Sequence, residues 1–342
     1  MRLVQFRARA LGRRVGVVEG STVYDLTSLV PAWTHVYHLF RQARRQDVLM
    51  DDLIAAQPYR DEADTFAYDA LLAKRTGQGD AWLLPPLDHP DAAHCIVGGT
   101  GLTHLGSTAQ RDAMHQNTSA PKTDSQRMFE MGVAGGKPES GTRGTAPECF
   151  YKGSGVIMRG HNGYLDIPGF TEDGGEEPEI VGCYVIDDDG QPYRLGFALA
   201  NEWSDHAVER VNYLWLAPSK LRTCAVGPEL ITDQPFQDLY GWCRITRGDE
   251  LIYDSGELLT GEENMCHSLA NLEDHHFKNV QFRVPGDVHI YFTGTSKFSY
   301  GQRGPLQEMD RIEIHFDTMG ASLVNYVRRM PAEAGPVMVK KG

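Results

Sequence analysis

The sequence predicts a mixed α+β fold that is rich in β-strands. Two observations favour it: strand patterns outnumber helical patterns, and strands and helices do not alternate regularly along the chain. A regular alternation would instead predict a doubly wound parallel sheet. The chain has 342 residues, of which 41% are hydrophobic, so it is long enough for one large domain or two smaller ones.

The first 85 residues are predicted to form a small N-terminal α/β domain. Alternating apolar and charged residues at the start indicate a β-hairpin with its turn near Leu11–Gly12, and a helical stretch follows near Ala32–Ala56. The proline-rich, polar segment Leu83–His94 is expected to link this domain to a larger one. The predicted domains are therefore residues 1–85 and 86–342.

Strand patterns dominate the larger domain. The predicted strands are Cys95–Gly98, Ile180–Ile186, Tyr193–Asn201, Val288–Gly294 and Arg311–Phe316. Residues 187–190, Asp-Asp-Asp-Gly, predict a tight turn that joins the second and third of these into a hairpin. Ser204–Trp215 has helical character. The stretch Asp112–Glu148 lacks strong periodicity and is dense in glycine, so it is predicted to be a long loop, either a lid or a surface excursion.

Composition excludes several classes of protein. The net charge of −13 disfavours nucleic acid as a partner, because phosphate backbones would repel the chain. No apolar run is long enough for a membrane span, and the N-terminus does not resemble a secretion signal. The six cysteines form no Cys-x-x-Cys pair, which argues against structural zinc and fits reduced thiols in the cytoplasm. No motif for nucleotide binding is present.

Three acidic residues mark the candidate site. Glu177 and Glu179 are two residues apart before an apolar strand, so they would point to one face of it. Glu202 follows the apolar run of the paired strand, where a buried carboxylate needs a partner. Adjacent anions repel each other unless a cation lies between them, and a hard divalent cation prefers oxygen ligands. The alternative is a solvated acidic loop.

The order of these motifs resembles the fumarylacetoacetate hydrolase family over residues 95–316. The matching segments are Glu177-Pro178-Glu179, Asn201-Glu202-Trp203-Ser204, Lys220 ahead of Gly227-Pro228, Pro285–Val288 and Thr293-Gly294-Thr295. Residues Thr103–Arg111 are similar to a Thr-Tyr-x-x-Ser-x-x-x-Arg signature of members that act on 2-keto-3-deoxy sugar acids, with His104 in place of tyrosine. This combination resembles the arabinose-catabolism, AraD1-like branch.

The resemblance implies a β-sandwich roll with a small N-terminal domain ahead of the catalytic domain. It also implies a cytoplasmic lyase that dehydrates a 2-keto-3-deoxy-pentonate, such as that derived from L-arabonate, through a metal-stabilised enolate. The expected metal is Mg²⁺, with Mn²⁺ and Ca²⁺ as alternatives, and no organic cofactor is expected. The expected partners are a small keto acid substrate and a second copy in a homodimer, with no nucleic acid or membrane.

Two alternative functions stay open at this point. One is a C–C hydrolase of acylpyruvates or 2,4-diketo acids on the same metal site. The other is a sugar-acid sensor that keeps the fold without turnover. The sequence departs from the family in two ways: Glu202 stands where most members have aspartate, and the catalytic histidine of the hydrolases has no clear counterpart, since Ser107 falls near its place.

The resemblance assigns roles to individual residues. The predicted metal ligands are Glu177, Glu179 and Glu202; the catalytic candidates are Lys220, Ser107 and His104; the substrate-binding candidates are Arg111, Gly294, Thr295 and Lys152. Lys220 would be an acid or electrostatic group, or else an exposed lysine at a helix end. Ser107 could instead cap a helix, Arg111 could form a structural ion pair, and His104 could be a base or a packing residue.

Histidines elsewhere have less support as functional groups. His206 and Glu209 could hydrogen-bond the metal ligands, or could lie on the surface of a helix. His275 and His276 invite a metal interpretation, but adjacent residues on a predicted strand point in opposite directions, which argues against it.

Overall fold

The structure of the protein is a computed structural model that describes residues 1–106, 122–332 and 335–342. Its strands are β1 (Arg2–Ala8), β2 (Gly12–Glu19), β3 (Thr22–Asp25), β4 (Asp64–Ala67), β5 (Ala81–Leu83), β6 (Cys95–Gly101), β7 (Glu148–Ser154), β8 (Met158–Arg159), β9 (Gly163–Ile167), β10 (Pro178–Ile186), β11 (Pro192–Asn201), β12 (Cys224–Val226), β13 (Leu230–Ile231), β14 (Leu239–Arg247), β15 (Glu250–Asp254), β16 (Leu258–Thr260), β17 (Val288–Phe292), β18 (Arg311–Phe316) and β19 (Leu323–Arg329). Its α-helices are α1 (Leu26–Leu29), α2 (Val36–Gln46), α3 (Met50–Ala55), α4 (Tyr59–Glu62), α5 (Tyr68–Leu72), α6 (Asp124–Gly135), α7 (His206–Val211), α8 (Leu216–Ser219) and α9 (Leu269–Phe277). The predicted β-rich α+β class is confirmed.

The strands form two sheets. A 13-stranded sheet has the order β4-β3-β2-β1-β13-β11-β10-β17-β6-β7, with β5, β8 and β12 as side branches, and a 6-stranded sheet has the order β15-β14-β18-β19-β9, with β16 beside β14. The N-terminal hairpin forms as predicted, and β1 extends the large sheet by pairing with β13. The sheet is therefore continuous from the N-terminal strands into the rest of the chain, while the domain boundary at residue 85 stays a prediction.

The hairpin of β10 and β11 lies at the centre of the large sheet. Every residue of β10 is buried, because both faces of this strand are covered. Successive side chains alternate between two cores: Val181 and Cys183 pack with residues of α2 and α3, whereas Ile180 and Tyr184 pack with residues of the smaller sheet. The central hairpin is thus held rigidly between a helical layer and a second sheet.

The smaller sheet presents one apolar face to this core. In β18, Ile312, Ile314 and Phe316 are buried, and the residues between them are partly exposed. This alternation is the pattern that predicted the strand, because a sheet with one buried face repeats every two residues. Within the described residues, no helix is long and apolar enough to cross a lipid bilayer.

Two local predictions were wrong. Part of the predicted long loop is helix α6. Thr123 caps this helix with a capping box, in which the side chains of Thr123 and Gln126 each accept a backbone N–H.

His275 and His276 lie in the last turn of α9 and not on a strand. His276 contacts His289 through ring nitrogens 2.9 Å apart, and His275 contacts a backbone carbonyl, so the two bind separate partners.

Candidate metal centre

The central hairpin brings three glutamates together at one end. Just beyond the paired strands, Glu177 and Glu202 exchange two backbone hydrogen bonds of 3.1 and 2.9 Å, so they lie directly opposite each other. Glu179 follows Glu177 on the same face of the strand. One carboxylate oxygen from each lies within 4.8 Å of the others, and all three residues are buried.

Two buried lysines contact the same carboxylates. Lys220 Nζ lies 2.5 Å from Glu177 Oε1, 3.0 Å from Glu202 Oε2 and 3.0 Å from Ser204 Oγ. Lys152 Nζ lies 2.9 Å from Glu202 Oε1 and also donates to the backbone carbonyls of Trp203 and Lys220. An ammonium group has three hydrogens to donate, and these three partners account for those of Lys152.

The residues present fit a hard divalent cation. Burial, followed by the negative charges of Glu202 and Glu177, raises the pKa of Glu179 well above its ordinary value. Glu179 Oε2 accepts the backbone N–H of Gly294 at 2.7 Å, but Oε1 is buried and has no hydrogen-bond partner among the described residues. A buried oxygen without a partner in an all-carboxylate cluster is the kind of ligand that Mg²⁺, Mn²⁺ or Ca²⁺ binds.

The charges of the cluster lead to the same conclusion. Glu209 lies 3.9 Å from Lys220 Nζ and accepts a hydrogen bond from Ser219. Among the described residues, it and the three glutamates above make four carboxylates that lie near two lysines. Because buried charge is strongly unfavourable without a partner, a site this rich in carboxylates favours a cation among its oxygens.

A separate ion-pair network fixes the loop that carries Glu177. Glu176 accepts hydrogen bonds from the backbone N–H and the hydroxyl of Ser299, both at 2.6 Å. Arg303 donates to Ser299 Oγ at 2.6 Å, to Asp173 at 2.8 Å and to the carbonyl of Gly174 at 2.8 Å. The backbone just before Glu177 is therefore held from several directions, which fixes the direction of its side chain.

His206 packs against the cluster at the start of α7. Its Nε2 lies 3.1 Å from Glu177 Oε1, and its ring stacks on Phe298 with centroids 4.5 Å apart. A Cβ atom at Gly175 would lie 2.0 Å from His206 Nδ1, so glycine is required for this close approach. His206 thus orients one carboxylate of the triad, which is one of the two interpretations that the sequence left open.

Of the remaining candidates, the structure describes Gly294, Thr295 and His104, and each has different contacts. Gly294 contacts Glu179 through its backbone N–H, and the Thr295 hydroxyl donates to the carbonyl of Lys297 at 2.9 Å. His104 is buried between two threonine hydroxyls, and burial lowers its pKa to about 3. Ser107 and Arg111 lie outside the described residues.

Sequence reasoning missed several residues that shape the centre. Ser204, which belongs to a motif without an assigned role, contacts Lys220, and the ring of Phe150 lies 4.9 Å from Lys220 Nζ. No sequence pattern indicated a role for Arg303 or Ser299. Their contacts connect segments more than 120 residues apart in the chain, for which no local spacing pattern exists.

Comparisons with known proteins find solved structures with a similar fold, but no match among family models or curated proteins. The structure of 2-keto-3-deoxy-D-arabinonate dehydratase complexed with magnesium and 2,5-dioxopentanoate is similar with a TM-score of 0.66 and 20% identity, covering 97% of this chain and 100% of that one.

Two other enzymes are similar at lower scores. Maleylpyruvate hydrolase from Sphingobium sp. SYK-6 has a TM-score of 0.57 and 17% identity, covering 96% of this chain and 100% of that one. 5-Carboxymethyl-2-hydroxymuconate delta-isomerase from Mycobacterium smegmatis has a TM-score of 0.54 and 16% identity, with coverage of 96% and 100%. The chain therefore has the fold of these three enzymes, which agrees with the fold that the sequence resemblance implied.

Proposed function

We propose that this chain is a Mg²⁺-dependent dehydratase of a 2-keto-3-deoxy-pentonate, such as that derived from L-arabonate, within the fumarylacetoacetate hydrolase superfamily. The observation that carries this proposal is the buried triad of Glu177, Glu179 and Glu202 with two lysines in contact. The similarity in fold to a dehydratase that was crystallised with magnesium supports it. We also propose that the protein acts as a cytoplasmic homodimer in pentose catabolism.

The proposed reaction removes one molecule of water. A proton leaves C3 of the substrate, because the neighbouring 2-keto group makes the hydrogens on C3 acidic. The hydroxyl group leaves C4. Together they form water, and a double bond remains between C3 and C4. The remaining 5-hydroxy enone then tautomerises to 2,5-dioxopentanoate, so that atoms balance without an oxidant, a reductant or an organic cofactor.

Each buried residue has a proposed role. A divalent cation held by the three glutamates would supply Lewis-acid polarisation of the carboxylate and 2-keto oxygens of the substrate. Lys152 positions Glu202, since its three ammonium hydrogens are already donated. Lys220 Nζ donates to Glu177, Glu202 and the neutral Ser204 hydroxyl; the proton directed at Ser204 would pass to the departing C4 hydroxyl, and the proton released from C3 would then restore the ammonium group.

The environment of His104 argues against its acting as the water-activating base of C–C hydrolysis. Its two ring nitrogens contact the hydroxyls of Thr103 and Thr260 at 2.9 and 3.1 Å, and its low pKa keeps the ring neutral. A group with these contacts is a packing residue and a poor general base. The alternative, hydrolysis of an acylpyruvate or 2,4-diketo acid, needs a base that activates water.

The decisive experiment measures turnover of synthetic 2-keto-3-deoxy-arabinonate by the purified protein with Mg²⁺, with and without a chelator. We expect water loss, detected as formation of 2,5-dioxopentanoate by mass spectrometry, and we expect chelation to abolish it. An acylpyruvate is tested in parallel, where release of pyruvate and an acid would support the hydrolase instead. Tight substrate binding without any product, at every metal concentration, would support a sensor.

A pair of matched variants links activity to the triad. Glu177→Gln removes one ligand charge from the buried centre, whereas Glu250→Gln removes the same charge from an exposed position on β15. The first is expected to lower turnover by at least about a hundredfold, and the second to leave it unchanged. Full activity of Glu177→Gln, or full activity in the presence of chelator, would contradict the proposal.

A further inference from the structure

A second pocket lies apart from the triad, where the segment after α5 meets the start of β9. Its volume is about 400 Å³, and none of the three triad glutamates lines it. Three arginines line it: Arg75 from the N-terminal part of the chain, Arg159 from β8 and Arg328 from β19. Such a concentration of positive charge is unusual in a chain of net charge −13.

The arginines carry more positive charge than their neighbours neutralise. Asp166 is shared by Arg328, whose Nε lies 2.6 Å from Oδ1, and by Arg159, whose Nη2 lies 3.6 Å from Oδ2. Arg75 forms no ion pair with any described residue. Glu308, a further carboxylate near Arg328, accepts the backbone N–H of residue 329. Among the described residues, three guanidinium groups thus face two carboxylates, which leaves a net positive charge at the pocket.

Aromatic side chains hold the unpaired arginine in place. The guanidinium carbon of Arg75 lies 4.0 Å from the ring centroid of Tyr326, and its Nη1 donates to the hydroxyl of Tyr164 at 3.1 Å. The guanidinium of Arg328 lies over the same Tyr164 ring, 5.1 Å from its centroid. Stacking on aromatic faces fixes a planar guanidinium while leaving its remaining N–H groups free to donate.

We propose that this pocket binds the phosphate group of a small metabolite. The net positive charge of these guanidinium groups attracts a phosphate ester, whose charge is close to −2 at neutral pH. Guanidinium groups that come from three separate segments suit a tetrahedral anion, whose peripheral oxygens accept hydrogen bonds in several directions. The volume falls in the range of small-molecule sites and leaves room for a short organic group beside the phosphate.

The competing explanation is purely structural. In that case Arg75 serves only to pack against Tyr164 and Tyr326, and it joins the N-terminal segment to the smaller sheet without any ligand. The two explanations differ in one measurable property. A packing role requires no anion, whereas a binding site must take up phosphate saturably as its concentration rises.

Isothermal titration calorimetry of the full chain tests the proposal, with the protein treated with EDTA so that phosphate cannot bind through a metal. The probes are inorganic phosphate and ribose 5-phosphate, at constant ionic strength. Arg75→Gln is expected to weaken binding of the phosphate probe by about tenfold or more, since a charge-assisted contact is lost. Arg159→Gln should weaken it as well, whereas Arg45→Gln, at an exposed arginine on α2, should not.

Comparison of the two probes identifies the source of the phosphate. Tighter binding of ribose 5-phosphate assigns the pocket to a sugar phosphate, and equal binding assigns it to free phosphate; both support the site. The proposal is overturned when neither probe binds the folded protein at millimolar concentration. It is equally overturned when both probes bind Arg75→Gln and Arg159→Gln as tightly as they bind the unaltered chain.

Discussion

Replacing Glu179 with glutamine is expected to change stability in opposite directions with and without metal. The Glu179 carboxylate is buried beside Glu177 and Glu202, and these charges together with burial raise its pKa well above the ordinary value. Glutamine has the same shape and keeps an oxygen that can accept the backbone N–H of Gly294. The substitution therefore removes an unfavourable buried charge and, at the same time, one anionic ligand.

In metal-free protein, Glu179→Gln is expected to raise the free energy of unfolding, because glutamine does not carry the buried charge whose cost raises the pKa of Glu179. Metal at a hundred times its dissociation constant stabilises the unaltered chain by about 2.7 kcal/mol. If the lost ligand weakens binding about a hundredfold, the same concentration stabilises the variant by only about 0.4 kcal/mol.

Urea denaturation in EDTA and in excess Mg²⁺ measures both quantities, and Mn²⁺ binding followed by electron paramagnetic resonance measures affinity directly. Glu250→Gln, an exposed site on β15, is the matched control and should change neither. The reasoning is refuted when Glu179→Gln binds Mn²⁺ as tightly as the unaltered chain. A variant that is destabilised equally in EDTA and in Mg²⁺ would also refute it, since that result indicates lost packing and not lost charge.

Three further predictions test the surroundings of the centre. Lys152→Met removes one of the two ammonium groups that contact the buried carboxylate of Glu202 and is expected to cost about 3–5 kcal/mol of unfolding free energy in EDTA, and less in Mg²⁺, by urea denaturation. Gly175→Ala, whose Cβ would lie 2.0 Å from His206 Nδ1, is expected to cost about 1–3 kcal/mol and to lower metal affinity, whereas Gly304→Ala, in open space, should do neither. His104 has a folded-state pKa of about 3 against an ordinary 6.5, so the folded state binds fewer protons and stability falls as pH decreases below 6.5. His104→Gln should remove about 2 kcal/mol of that loss at pH 5, and an unchanged pH profile of unfolding would contradict the burial of this ring.

The sequence predicted the parts of the site that local rules govern. The apolar runs of β10 and β11 and the turn at 187–190 are sufficient to predict a buried hairpin, and the structure pairs Pro178 with Asn201 at its end. Once that register is known, Glu177 and Glu202 must lie opposite each other. The spacing of two residues then places Glu179 on the same face.

The remaining contacts depend on tertiary packing that no spacing rule describes. Lys152 is 50 residues from Glu202 in the chain, and nothing in its neighbourhood marks it as buried. The network of Arg303 with Asp173 spans 130 residues. Helix α6 is a different case, because the capping box at Thr123 was present in the sequence and outweighs the many glycines that follow.

The energetics of the cluster argue that it exists for chemistry and not for stability. Burying an ion pair is at best close to neutral relative to well-packed apolar side chains, and here carboxylates outnumber lysines. Two apolar cores lie on either side of this interior position, and apolar side chains could have filled it instead. A fold that keeps a cluster of buried carboxylates at the end of its central hairpin gains nothing in stability from it. It gains a fixed, preorganised set of oxygen ligands, which is what binding and polarising a keto acid through a cation requires.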